Sequence, residues 1–166
     1  LLSRNDPAVF QALLQKYFSG TPGQLNPPLL KIIGTLAIGS PECSRLLLQS
    51  HIIDTMLYPL QRMRYIDDPS AAPPEPNLAA VRTRRNSMME IQLAFLQIVI
   101  HSSLIREAVG LKILEVLISY LAIVTPGSKI FHQILEISRL VSQRHPHHSS
   151  RLAHLLADLV LPPYEE

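Results

Sequence analysis

LAIGSPECSRLLLQSHIIDTML, residues 36–57, decides the fold. An apolar run reaches Ile38, breaks at Gly39-Ser40-Pro41 and resumes a few residues later. Gly39 suits a helix end. Ser40 offers a hydroxyl to cap a new helix, and Pro41 fits its first position, where a missing N–H costs little. Glu42 then sits at the positive end of the new helix dipole. A short helix is expected from about Pro41 to Gln49. After a weak break at Ser50-His51, another is expected over Ile52 to Met63. Pro59 falls inside that helix, removes one backbone bond and predicts a bend or an early end. Nothing in the stretch looks like chemistry. It reads as a chain turning sharply between packed helices.

The same grammar extends in both directions. Upstream, Asn26 caps a helix with Pro27 and Pro28 in its first turn, and Leu29, Ile32, Ile33, Leu36 and Ala37 recur at helical spacing. Asp6-Pro7 opens an earlier helix with Val9, Leu13, Leu14, Tyr17 and Phe18 as its stripe. Downstream, residues 67–77 read DDPSAAPPEPN, and four prolines in eleven residues exclude helix and sheet. A Pro-rich loop insertion is expected over 67–86. Met88 to Ile100 is apolar all round, which predicts burial on most sides. Ser102 or Ser103 caps a short helix that Gly110 is expected to break, and Leu111 to Ile123 forms the next, stopped by Thr125-Pro126-Gly127. Ser128 to Gln143 places Ile130, Ile134, Ile137 and Val141 on one line. His145-Pro146-His147-His148 reads as a break before a last helix, Ser149 to Leu161. Period-2 alternation never lasts, so length decides for helix. The expected fold is all-α, in one domain over 1–166.

A displacement of 61 residues aligns two parts of this pattern. Arg45 falls on Arg106, Ile52 and Ile53 on Ile113 and Leu114, Asp54 on Glu115, Met56 on Leu117 and Leu60 on Leu121. With an insertion of roughly 20 residues removed, the period is about 41, within the window of helical repeats. LLKIIGTLAIGSPECSRLLLQSHIIDTML resembles the junction between two armadillo repeats. In that family a long third helix ends in a phrase like Leu-Ala-x-Gly-Ser, and a short helix, a Gly and an apolar second helix follow. Here Leu36-Ala37-Ile38-Gly39-Ser40 stands at the third-helix end, His51 stands where the family usually has Gly, and Gly110 lies near the matching place in the second block. Thr35 and Gln97 stand near the place of the family's concave-face Asn. The resemblance covers most of 26–143 and implies a fragment of an armadillo-like stacked-helix superhelix. Leu46, Leu47, Ile52, Ile53 and Leu57 would then join successive layers. Leu29 to Ile38, Met88 to Ile100 and Ile130 to Val141 would wall a groove, with Gln92, Gln97, His101, His132 and Gln133 as polar contacts.

Composition sets the bounds on function. Apolar residues are 47% and charged residues 17%. That excess implies apolar surface covered by neighbouring sequence or by a partner. A chain opening at Leu1 rather than Met reads as a piece of something longer. Lys and Arg exceed Asp and Glu by only two charges, which is no strong field for nucleic acid. The single cysteine, Cys43, excludes an intrachain disulfide and suits a reducing compartment, so a cytoplasmic or nuclear location is expected. No signal peptide is read at the start. Ile91 to Ile100, the best apolar run, is too short to span a bilayer, so no membrane partner is expected.

Chemistry is sought and mostly not found. There is no Gly-rich phosphate loop, HExxH, EF-hand or GxSxG. Cys43 and His51 are separated by a helix break and have no orienting acid. His145, His147 and His148, with His154 and Asp158 beyond them, hold the residue types of a metal site, but an exposed polar break accounts for them. Neither an enzyme nor a cofactor is expected. One basic cluster, Arg82, Arg84 and Arg85, with Arg62 and Arg64 before it, can hold phosphate or acidic peptides. Arg84-Arg85-Asn86-Ser87 matches an arginine-directed kinase pattern, with Ser87 as candidate phosphosite near a helix start. Leu161-Pro162-Pro163-Tyr164 falls short of a PPxY ligand, and Pro73-Pro74-Glu75-Pro76 reads as a spacer. The expected function is a protein-interaction scaffold that binds a peptide or helix of a partner in a larger intracellular assembly. The alternatives are a structural segment packed against the rest of its own chain, and nucleic-acid binding through the arginines.

Overall fold

The computed structural model describes residues 7–20, 25–63, 78–143 and 145–160. They form eight α-helices and no strand: α1 Pro7–Phe18, α2 Pro27–Gly39, α3 Pro41–Gln49, α4 Ile52–Met63, α5 Leu78–Val99, α6 Ser103–Ile118, α7 Lys129–Ser142 and α8 Pro146–Val160. A 3-10 turn, Ser119–Ala122, follows α6. Asp6, Arg64, residues 67–77 and the segment Leu161 to Tyr164 lie outside the described residues.

Caps delimit the helices as side-chain chemistry requires. Asn26 Oδ1 accepts from the Leu29 N–H at 3.2 Å, Ser40 Oγ from Cys43 at 3.1 Å, Ser102 Oγ from Ile105 at 3.4 Å and Ser128 Oγ from Phe131 at 3.2 Å. Each satisfies one donor that a helix start leaves unpaired. His51, in the place of the resemblance's Gly, has φ 58°, the left-handed region, and turns the chain from α3 into α4. Its Nδ1 lies 3.1 Å from Asp54 Oδ2.

The helices pack in two layers. One is the row α2, α5, α7, with α5 in the middle. The other holds α3, α6 and α8 in sequence, with α1 beside α2 and α3, and α4 against α5 and α6. Gly34 on α2 lets α5 come close: a Cβ there would meet Ile98 Cγ2 at 3.1 Å and Phe95 Cδ1 at 3.5 Å. The core between the layers includes Phe10, Leu30, Ile33, Leu47, Ile52, Leu93, Phe95, Ile113, Ile134 and Val141, all nearly or fully buried. The expected layer-joining residues Leu47, Ile52, Ile53 and Leu57 are buried and Leu46 is half-buried.

One device recurs along the stack. The C-terminal carbonyls of each helix in the row are met by a side chain from the next helix. Ser44 Oγ donates to Ala37 O at 2.6 Å, Arg106 Nη1 to Ile100 O at 2.9 Å, and His148 Nδ1 to Val141 O at 3.0 Å. Ser44 also bonds Ser102 at 2.8 Å, which brings the C-terminal ends of α2 and α5 to the same side. A second link is carried by ion pairs. Asp54 on α4 holds Lys112 on α6 at 2.7 Å, and Glu115 on α6 holds Arg151 on α8 at 3.2 Å. Asp54 and Glu115 are the acids that the 61-residue displacement aligned. This packing is compatible with a helical repeat.

Several expectations need correction. The loop does not extend to 86, because residues 78–86 form the first turns of the 22-residue α5. Leu78-Ala79-Ala80-Val81 are acceptable helix formers, and Arg85 is buried with its guanidinium 5.6 Å from the Tyr120 ring centre, which ties that segment to the core. Gly110 does not break α6. A glycine inside a helix costs only about 1 kcal/mol, and here it leaves room for a neighbour, since a Cβ would meet His148 Cε1 at 2.9 Å and Val141 Cγ1 at 3.0 Å. The helix expected at Leu111 to Ile123 therefore ends as α6 at Ile118, with the 3-10 turn after it. Pro59 does not end α4, which continues to Met63 with Met56, Leu57 and Leu60 buried around it. The histidine break is shorter than expected: it ends at His145, Pro146 is the first residue of α8, and His148 is buried and stacked on His145 at 4.8 Å. In α1 the buried aromatic is Phe10, while Phe18 is 47% exposed.

Candidate binding face

Each helix of the row buries one stripe against the other layer and turns the opposite side outward. On α2 the buried stripe is Leu30, Ile33, Gly34 and Ala37, and the outward side holds Lys31, Ile32, Thr35 and Ile38. On α5 the outward positions are Ser87 and Ala94, flanked by half-buried Ile91, Gln97 and Ile98. On α7 they are His132, Leu135 and Arg139. Ile32, Ile38 and Leu135 are 48%, 40% and 41% exposed, large apolar side chains that the fold leaves in water. Their helical spacing was legible in the sequence. Their exposure was not, because period alone does not say which side of an all-round apolar helix faces out.

The expected polar contacts divide. His101 and His132 are exposed and Gln97 is half-buried. Gln92 and Gln133 are buried instead. Gln133 Nε2 donates to Glu90 O on α5 at 3.1 Å, which fixes the register of α7 on α5. The Oε1 atoms of Gln92 and Gln133 are buried without a hydrogen-bond partner among the described residues. His101 lies near Glu136. The Arg139 guanidinium, with bonds of 2.6 and 3.0 Å, holds the Glu136 carboxyl below its usual range, slight desolvation opposes this, and the His101 charge adds a weaker pull downward.

The arginines do not form one surface. Arg82 and Arg84 are exposed on α5, whereas Arg85 is 2% exposed and bonds Asn86 Oδ1 at 3.2 and 3.3 Å. Arg62 lies on α4, bonding the Tyr58 hydroxyl at 3.2 Å and lying 5.7 Å from its ring centre. Ser87 is exposed on α5 but ten residues into that helix, so a phosphate there would not meet the positive helix end expected from sequence.

Three clefts among the described residues lie elsewhere, one of them, about 380 Å³, beside Lys16, Tyr17 and Leu25. A second, of about 470 Å³, sits between α4 and α6, lined by Asp54, Tyr58, Gln61, Lys112, Glu115 and Ser119 among others. Another, about 660 Å³, lies between α1 and α3 and includes Gln11, Phe18, Leu46 and Gln49. Cys43 is fully buried. No group of three or more His, Cys, Asp or Glu converges as a metal site among the described residues. None of their helices is long and apolar enough to cross a membrane. Comparison of the chain with protein-family models, with curated proteins and with solved structures returns no match.

Proposed function

We propose that this chain is an armadillo-like scaffold whose activity is binding, not catalysis, and that it holds a peptide or helix of a partner protein on the outward side of α2, α5 and α7. One observation carries the reading: Ile32, Ile38 and Leu135 are exposed on two helices of the row, on either side of a central helix that offers Ala94, Gln97 and Ile98. Apolar side chains between polar neighbours suit an interface with a hydrophobic centre and a polar rim. The repeated cap by Ser44, Arg106 and His148 supports the superhelix part of the proposal, since the same joint at each step stacks one layer on the last. The fully buried thiol of Cys43 suits a reducing cytoplasmic or nuclear setting.

A structural segment packed against further chain is the second reading. It is favoured by Phe18, 47% exposed on α1 at one end of the stack, and Leu159, 37% exposed on α8 at the other. Affinity capture from cell lysate separates the two. The scaffold reading expects one specific protein on the wild-type chain that is lost with Ile32→Asp/Leu135→Asp, at unchanged circular dichroism. Equal capture by both forms, or no specific protein, overturns it.

A further inference from the structure

The two layers differ in charge. Helices α2, α5 and α7 carry Lys31, Arg82, Arg84, Arg85, Lys129 and Arg139, against only Glu90 and Glu136. Helices α1, α3, α4, α6 and α8 are nearly balanced, with six cations and five acids. In that layer Asp54 is paired with Lys112 and Glu115 with Arg151. Setting aside buried Arg85 and Arg139, which is paired with Glu136, exposed Lys31, Arg84 and Lys129 remain on the outward faces, Arg84 and Lys129 standing three residues before the outward Ser87 and His132. Lys129 is the first residue of α7, where a positive charge opposes the helix dipole. Helix formation does not ask for a lysine there.

We infer that the outward face of α2, α5 and α7 takes an acidic segment of a partner protein that also carries aliphatic side chains. The inference rests on the binding reading above and names the chemistry of the partner. Lys31, Arg84 and Lys129 set the sign of the field that an approaching segment meets, and complementary charge raises the encounter rate and rejects basic segments. Ile32, Ile38 and Leu135 offer area that a phosphate backbone has no use for. That favours a peptide over a nucleic acid, whose recognition is led by phosphate contacts and base edges.

The test is selection of random peptides displayed on phage against the chain, with Ile32→Asp/Leu135→Asp as counter-target. Enriched sequences are expected to combine Asp or Glu with Leu, Ile or Val. A synthetic peptide of such a sequence is expected to bind about tenfold more weakly to a Lys31→Glu/Arg84→Glu/Lys129→Glu form with unchanged circular dichroism, and more weakly to the wild type as salt is raised. Enrichment of basic or uncharged peptides that depend on Ile32 and Leu135 overturns the inference and leaves the binding face standing. Peptides that bind both forms equally, or no enrichment, overturn the face as well. Salt-dependent binding of an arbitrary DNA duplex, lost in the charge-reversed form while no peptide is selected, reassigns the cations to phosphate and overturns the inference.

Discussion

His51 is the position where backbone and sequence disagree most. Its φ of 58° places a residue with a Cβ in the left-handed region, a conformation that costs roughly 1–2 kcal/mol for most side chains. His51→Val adds β-branching there and is expected to destabilise the fold by about 1–2 kcal/mol. His51→Gly removes the strain but loosens the unfolded chain by a similar amount, and is expected to stay within about 1 kcal/mol of the wild type. Urea unfolding of the two variants checks this, and a His51→Val as stable as the wild type would contradict the turn. Gly34 and Gly110 give a second contrast. At Gly34 the atom in the way is the Cγ2 of Ile98, a half-exposed side chain that can turn aside, so Gly34→Ala is expected to be near neutral. At Gly110 the obstacle is His148, held by its bond to Val141 O, and Gly110→Ala is expected to cost about 1–3 kcal/mol by overpacking. Thermal unfolding checks the order, each kcal/mol shifting Tm by roughly 2–4 °C at this chain length. The sequence marks position 51 only as part of a weak break, and its left-handed backbone was not legible. Nor was the role of Gly110, because a glycine in a helical pattern reads alike as a break and as a close approach, and only the neighbouring helix decides.

Between elements, the joints are polar bonds set in an apolar interface. The Tyr120 hydroxyl donates to the Leu60 carbonyl, tying the turn after α6 to α4, and the Tyr120 side chain is fully buried. Tyr120→Phe keeps the packing and removes that buried bond, so a loss of about 1–2 kcal/mol is expected in urea unfolding. The Asp54–Lys112 pair acts more weakly. Its hydrogen bonds from Lys112 and then from His51 hold the Asp54 carboxyl below the ordinary aspartate range. A depressed carboxylate contributes stability above its unfolded pKa and loses it as pH falls through the folded value. The stability difference between wild type and Asp54→Asn in urea unfolding is therefore expected to be small and constant at neutral pH, about 0.5 kcal/mol for a solvent-screened pair, and to vanish in acid below the ordinary aspartate range. A difference that grows in acid would contradict the sign. Helix starts were the most legible feature at this scale, since Asn26, Ser40 and Ser102, the last read as one of two candidates with Ser103, act by local chemistry. The start of α5 was not legible, because its anchor, Arg85 over Tyr120, joins residues far apart in sequence. The Asp54 and Glu115 links were half-visible: the 61-residue displacement aligned the acids but not their bases.

Across the whole molecule, the three helices of the row are united by their ends and divided from the other layer by their charge. The all-helical reading came from short capped helices between long apolar ones. The outward face could not come from that source. Gln92 and Gln133 have the composition of contact residues, yet both are buried, while Ile32 and Leu135 have the composition of core and stand in water. Burial is a property of the assembled layers. The most direct measurement is hydrogen–deuterium exchange of the chain alone and bound to the protein it captures. Slowed exchange is predicted in segments of α2, α5 and α7, around 31–38, 87–101 and 132–139, with α3, α4 and α8 little changed. Protection confined to the α4–α6 cleft or to α1 and α3 would contradict the account and move the site to the other layer.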